Sequence, residues 1–272
     1  MADTTNRTIG RYELRTEIGR GSLGVVWRGF DLANQREVAV KLLPLGLTLD
    51  PTFDEYFQGT VRKIVALSHP ALVPIYDFGN ANGQLYIVSR LLTGESYKAR
   101  LKNGPLPLAE CARIVEQLAS ALDVVHAAGI VHGNIHHGNI LFDDQSQPCF
   151  TDTTLGVIAR RDETSTNLPI GAPAYYSPEQ ALGIRPDARA DVYSLGVILF
   201  EMLIGRPPYE SAESPILTAH MHVTSPTPNI LKIKPDLPPA LGPVITRVLA
   251  KKQDERFTSA GEFAAALQAS LG

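Results

Sequence analysis

The sequence predicts an α+β fold in two lobes: an antiparallel five-stranded sheet with one helix, followed by a mainly helical lobe. Three observations predict it. Short β-type runs crowd the first third of the chain, at 12–20, 25–30, 37–43, 73–78 and 85–89. Long apolar helical runs take over from Leu108. Between the first two strand runs lie glycines that lead into another strand, not into a helix. With 272 residues, both lobes have room for a core.

Residues 1–10 are polar and are expected to be disordered. The stretch Ile18-Gly19-Arg20-Gly21-Ser22-Leu23-Gly24-Val25-Val26 fits Gly-x-Gly-x-x-Gly. A dinucleotide fingerprint needs a helix straight after the glycines. Here Val25-Val26-Trp27 continues as strand, which suits a hairpin folded over phosphates, with glycines admitting close approach of the backbone. A plain glycine-rich hairpin accounts for this motif equally well on its own. The next run contains Val38-Ala39-Val40-Lys41, a lysine in an apolar strand, costly to bury unless paired. From Phe53 to Ser68 a helix is expected, with Phe53, Phe57, Val61, Ile64, Val65 and Leu67 on a rough apolar face and Gly59 weakening it. Asn80-Ala81-Asn82-Gly83 is a turn between strands. The helix expected over 108–128 stacks Leu118, Leu122 and Val125, with Gly129 as its cap; His126 near its end reads as a capping or core histidine. An apolar helix starts at Asp191 and ends at Gly205-Arg206-Pro207-Pro208. Three more helices are expected at 214–222, 239–251 and 259–270.

Composition narrows the function. Charged residues are 19% of the chain and the net charge is −3, so no nucleic-acid or anionic-membrane footprint is visible. Cys111 and Cys149 form no Cys-x-x-Cys and read as reduced thiols. The first residues hold no apolar signal region, and no run of about 18 apolar residues occurs. A cytoplasmic location is the expectation.

The chemistry centres on His132-Gly133-Asn134, with Asn139 five residues after Asn134. Together with the glycine hairpin, Val38-Ala39-Val40-Lys41, Asp152 and the stretch Gly171-Ala172-Pro173-Ala174-Tyr175-Tyr176-Ser177-Pro178-Glu179, this resembles the bacterial eukaryotic-like (Hanks-type) serine/threonine protein kinases. Their catalytic loop reads His-Arg-Asp-x-x-x-x-Asn. The resemblance spans about residues 11–270 and implies a protein-kinase-like fold, with an N-lobe at 11–89, a hinge at 90–94 and a C-lobe at 95–270. It implies that Ile18, Val26, Ala39 and Leu141 enclose adenine, that Gly19, Gly21 and Gly24 cover the phosphates of ATP, and that Lys41 holds its α- and β-phosphates. Asn139 and Asp152 match the two Mg²⁺ ligands, Asp191 the residue that braces the loop, and Glu179 with Arg256 a buried ion pair.

Several positions depart from that pattern. The aspartate that receives the acceptor proton is Asn134, whose amide can hold a hydroxyl but has no basic lone pair near neutral pH. The loop lysine is His136 and the loop arginine is Gly133. The helix glutamate that pairs with Lys41 falls at Thr60; Glu55, five residues earlier, lies about 140° around the helix. With that glutamate gone, Asp152 is an alternative partner for Lys41. Asp-Phe-Gly has become Asp152-Thr153-Thr154, and the threonine that touches the catalytic aspartate is Ala172. Histidines 132, 136 and 137 lack the helical pattern and glutamate of a zinc motif. Thr164 and Thr166 stand where the bacterial family carries phosphothreonines, but Gly133 cannot receive such a phosphate. The resemblance therefore implies a pseudokinase that keeps ATP and Mg²⁺ ligands while transferring phosphate poorly or not at all. Its expected role is regulation or scaffolding, beside an active kinase or a phosphothreonine-binding protein. The alternative is a weakly active ATP-dependent serine/threonine kinase or another nucleotidyl transferase. Related kinases often continue into a linker and a membrane helix, and whether this sequence, ending at Gly272, is a piece of such a chain stays open.

Overall fold

The computed structural model describes residues 7–21, 24–46, 51–153 and 172–272. The chain forms two compact units, one of residues up to Ser68 with Leu72–Thr93, the other of His69–Ala71 with Gly94–Gly272.

The first unit is an antiparallel sheet with one helix. Strands β1 (Arg7–Ile9), β2 (Tyr12–Gly21), β3 (Gly24–Asp31), β4 (Arg36–Leu42), β5 (Ile75–Ala81) and β6 (Gln84–Arg90) lie in the order β1-β2-β3-β4-β6-β5. Alternation fixes the core face: Val38, Val40 and Leu42 of β4 pack with Ile9, Tyr12, Leu14 and Val88. Helix α1 (Pro51–Val65) buries Phe53, Phe57, Val61 and Ile64, and Phe57 meets Phe78 of β5 edge-on at 6.1 Å.

Among the described residues the sheet has six strands where five are expected. The extra one, β1, lies inside the stretch 1–10 expected to be disordered. Gly10, at φ 54°, turns the chain so that Ile9 stands opposite Tyr12. A single apolar residue in a polar leader gives no period to detect, yet its burial at the sheet edge anchors the strand.

The second unit is built around helix α5 (Ala188–Ile204), which is apolar on all sides and buried from Ala190 to Leu203. The other helices here are α2 (Tyr97–Arg100), α3 (Leu108–Ala127), α4 (Pro178–Ala181), α6 (Pro215–Thr224), α7 (Ile230–Ile233), α8 (Leu241–Val248) and α9 (Ala260–Ala269), with a small hairpin of β7 (Ile140–Phe142) and β8 (Pro148–Phe150). Asp187 caps the start of α5 by accepting from the Arg189 N–H at 2.8 Å, and Gly205, left-handed at φ 90°, ends it. Gly94 has no room for a side chain: a Cβ there would lie 2.3 Å from the carbonyl oxygens of Phe142 and Asp143. No helix among the described residues is long and apolar enough to cross a membrane.

Candidate active site

In the sheet unit the residues expected at the nucleotide share one face. Ala39 and Lys41 alternate with the core residues of β4, so they face the other way. Lys41 stands opposite Val26 on β3, and Val26 opposite Gly19 on β2, placing Gly19, Val26, Ala39 and Lys41 together. Gly21 pairs with Gly24 to close the hairpin. Gly24 is obligatory, since at φ 119° a Cβ would sit 2.0 Å from the Leu42 carbonyl oxygen. At Gly21 an added Cβ would meet nothing within 4 Å. Ile18 is half exposed at the strand's rim. On α1 the buried position is Thr60, a hydroxyl, while Glu55 is exposed.

In the helical unit the loop 132–139 is held from below by Asp191, on the first turn of α5. Its buried carboxylate accepts the backbone N–H of His132 at 2.8 Å, that of Gly133 at 2.6 Å and the Nε2–H of His126 at 2.8 Å. Burial opposes its ionisation, but the His126 hydrogen bond and charge, the charge of His132 and the Gly133 N–H outweigh it and keep the carboxyl below its usual range. Gly133 takes φ 61°, and its carbonyl accepts from Gln180 Nε2 at 2.9 Å. The Asn134 N–H donates to His132 Nδ1 at 3.3 Å, and the Asn134 carbonyl accepts Asn139 Nδ2 at 2.9 Å.

Asn139 thus has its amide nitrogen committed, leaving Oδ1 as the acceptor. Its carbonyl takes the Thr151 N–H at 2.9 Å, which ties it to the segment carrying Asp152. Asp152 is left-handed at φ 60°, an uncommon backbone for a residue with a side chain and of the kind that gathers at functional sites. Thr153 is buried. Leu141 lies on β7 opposite Cys149.

The other side of the loop carries Asn134, His136 and His137. Asn134 is 8% exposed, and no described residue hydrogen-bonds its side-chain amide. It borders a cavity of about 10 Å³ together with His136, Ala172, Tyr175, Gln180 and Ser194. His136 Nδ1 accepts the Gly138 N–H at 3.0 Å. That fixes the ring's proton on Nε2. His137 Nδ1 lies 2.6 Å from the Tyr175 hydroxyl, which is 2.8 Å from both carboxyl oxygens of Glu201. Burial raises the Glu201 carboxyl, against the hydrogen bonds of Tyr175 and Tyr97, and lowers His137, helped by the charge of Lys98.

Beneath this, Arg256 forks onto Glu179 with two bonds of 2.8 Å, both residues buried. The other guanidinium contacts are the carbonyls of Ala250, Arg189 and Lys251. Burial alone would raise the Glu179 carboxyl; Arg256's bonds and charge bring it below its usual value. Positions 154, 164, 166 and 171 lie outside the described residues.

These two assemblies are those of a protein kinase domain, and the protein kinase domain family profile matches residues 12–270. The chain belongs to that family. It is similar to serine/threonine-protein kinase PknE of Mycobacterium tuberculosis, 36% identical over 266 residues, covering 97% of this chain and 46% of PknE. It is equally similar to PknA of the same organism, 36% identical over 267 residues, covering 96% of this chain and 61% of PknA. The chain thus spans about half to three fifths of these relatives. The crystal structure of the M. tuberculosis PknI kinase domain superposes with a TM-score of 0.79 at 25% identity, covering both chains in full.

Three contributors escaped the sequence reading. His126 reads as a cap but serves Asp191, 65 residues away. Gln180 holds the Gly133 carbonyl; the capping box Ser177-Pro178-Glu179-Gln180 marks it locally as a helix start, but not for this contact. Glu201 could have been found, as a lone carboxylate inside the apolar run Val197-Ile198-Leu199-Phe200-Glu201-Met202-Leu203.

Proposed function

We propose that this serine/threonine protein kinase-like domain is a pseudokinase that binds Mg-ATP and transfers phosphate poorly or not at all. The observation that carries the reading is an amide at position 134, in a loop otherwise pinned for catalysis by Asp191, Asn139 and Gln180. The described donors suit the cofactor. Asn139 Oδ1 and the Asp152 carboxylate are hard oxygens fit for Mg²⁺, and the open space at Gly21 suits close approach of phosphates. Bound Mg-ATP would supply the transferable phosphoryl group, Lys41 a cation for the phosphates, and Ile18, Val26, Ala39 and Leu141 apolar contact for adenine. With the base absent, the domain serves regulation or scaffolding, its partner an active kinase or a protein that reads phosphothreonine at 164 or 166.

A second reading, a weakly active kinase, is favoured by the retained Lys41, Asn139 and Asp152. Loss of a general base costs roughly 10²–10⁴ in rate, and kinase catalysis leans more on positioning and electrostatics. A thermal-shift titration with ATP, with and without Mg²⁺, tests nucleotide binding, beside Lys41→Ala and Asp152→Ala. Radiolabelled transfer to a basic acceptor protein separates the two readings. A Mg²⁺-dependent rise in melting temperature, lost in both variants, without transfer supports the pseudokinase. No rise at saturating nucleotide removes ATP from the proposal, and sustained transfer replaces it with the kinase.

A further inference from the structure

The turn Asn80-Ala81-Asn82-Gly83 takes no part in the site, yet it carries a reactive pair. Asn82 and Gly83 are the two central residues of the hairpin between β5 and β6, since Ala81 stands opposite Gln84. Both are left-handed, at φ 55° and 82°, as a two-residue turn of the type that favours Asn-Gly requires. Both are exposed, and a Cβ added at Gly83 would meet nothing within 4 Å. With no side chain at 83, the backbone nitrogen of Gly83 approaches the side-chain amide carbon of Asn82 unhindered once the turn loosens. One side chain holds it. The Gly83 N–H donates to Asn80 Oδ1 at 2.9 Å, and Asn80 Nδ2 donates to Asp54 Oδ2 of α1 at 3.3 Å. Asp54 Oδ1 in turn accepts Gln58 Nε2 at 3.1 Å. The Asn80 amide is thus fixed at both ends, with its oxygen on the Gly83 nitrogen.

We propose that Asn82 is a site of spontaneous deamidation whose rate is set by Asn80, through the proton it holds on the Gly83 nitrogen. That nitrogen is the nucleophile, and it must first give its proton to hydroxide. Its lone pair then attacks Asn82 Cγ. The N–Cγ bond forms, the Cγ–Nδ2 bond breaks, and ammonia leaves with a proton taken from water, which restores the hydroxide. The product is a five-membered imide. Water opens it at either carbonyl, to aspartate or to isoaspartate, so the net change is one water consumed and one ammonia released. Asn80 opposes the first step and also holds the backbone in the left-handed turn. Either product leaves a carboxylate at the turn that Asn80 ties to α1, and isoaspartate lengthens a loop of two residues by a methylene. The sequence has a second such pair, Asn103-Gly104, whose Gly104 N–H donates to the Leu101 carbonyl at 3.0 Å and owes nothing to Asn80.

The test is incubation of the whole chain at mildly alkaline pH, with peptide mapping by mass spectrometry and isoaspartate scored separately. Asn80→Ala should speed conversion at Asn82 by about two- to tenfold, the worth of one hydrogen bond, while conversion at Asn103 keeps the parent rate. Asp54→Ala, which frees only the far end of the Asn80 amide, should give a smaller rise. Asn82→Gln should abolish conversion there. In denaturant the parent and Asn80→Ala should convert Asn82 at one common rate, faster than in either fold. Absence of conversion at Asn82 in folded parent and Asn80→Ala alike, over the time in which the denatured chain converts, overturns the site. Equal folded rates in parent and Asn80→Ala overturn the role of Asn80, as does a rise at Asn103 in step with that at Asn82, which would mark a general loosening of the chain.

Discussion

Restoring a carboxylate at position 134 probes how far the acceptor side of the loop is committed to neutral chemistry. Asn134→Asp exchanges an amide for a carboxyl of the same shape at a residue 8% exposed. The backbone bonds to His132 and Asn139 need not change. The new carboxylate meets a wall on which Gln180, Ser194 and Tyr175 already have donors engaged and Ala172 has none, which leaves His136 and Tyr176 as its polar neighbours. A buried acceptor that neither of these two reaches costs about 1–3 kcal/mol, more for a charge. The cheaper state is the protonated acid, which is no base. A working base would gain roughly 10²–10⁴ in rate. The expected result is therefore a gain below about tenfold in phosphate transfer from Mg-ATP to a basic acceptor protein. The melting temperature should fall by about 2–4 °C for each kcal/mol lost. Ala172→Thr sets a hydroxyl on the cavity wall, in room for one water-sized group. The double variant should exceed either single one in transfer and recover part of the stability. A rise of about 10² or more from Asn134→Asp alone, with an unchanged melting temperature, would refute the coupling.

Arg256→Met leaves Glu179 as a buried charge without its guanidinium, and calorimetry should record a loss of about 3–5 kcal/mol. The Glu179 carboxyl lies below its unfolded value, so its stabilisation is present above the usual carboxylate range and lost as pH falls through the folded pKa; Glu179→Gln should flatten the acid limb of the stability curve. His222, pushed down to about 3 by burial and by the charge of Lys251, stays neutral in the fold, whereas the unfolded chain takes up a proton below about pH 6.5. Between pH 7.5 and 5.5 the parent should lose about 1.4 kcal/mol more than His222→Gln, and equal losses would sink the assignment. Tyr175→Phe takes a hydroxyl donor from the buried Glu201, costing about 1–3 kcal/mol in denaturant unfolding.

Much of the fold was legible because its signals are local and repeated. The glycine hairpin announces itself, Gly24 being the one glycine there that packing makes obligatory. Helix α5 is legible as an apolar run with an aspartate at its start and Gly205 at its end. Strand β1 was not, because Ile9 alone carries its burial. In the site, Asp191, Asn139, Glu179 and Arg256 could be placed from motif spacing. His126, Gln180 and the pair Tyr175–Glu201 act across 26 to 65 residues, through contacts that only the folded chain creates.

The departures from the family pattern share a physical logic. Two carboxylates have gone, at 134 and 60, and two cations, at 136 and 133, where an imidazole and a glycine stand. Removing one member of a buried charge pair is strongly destabilising, whereas replacing both can be neutral or favourable. By that pattern two charges of each sign are absent, but Lys41, the family partner of the carboxylate missing at 60, is still present. Two buried carboxylates have full sets of partners: Asp191 with three hydrogen-bond donors, and Glu179 under the fork of Arg256. Groups that hold shape were kept, while position 134 carries an amide and position 136 an imidazole. The loop keeps its backbone supports, Asp191 and Gln180.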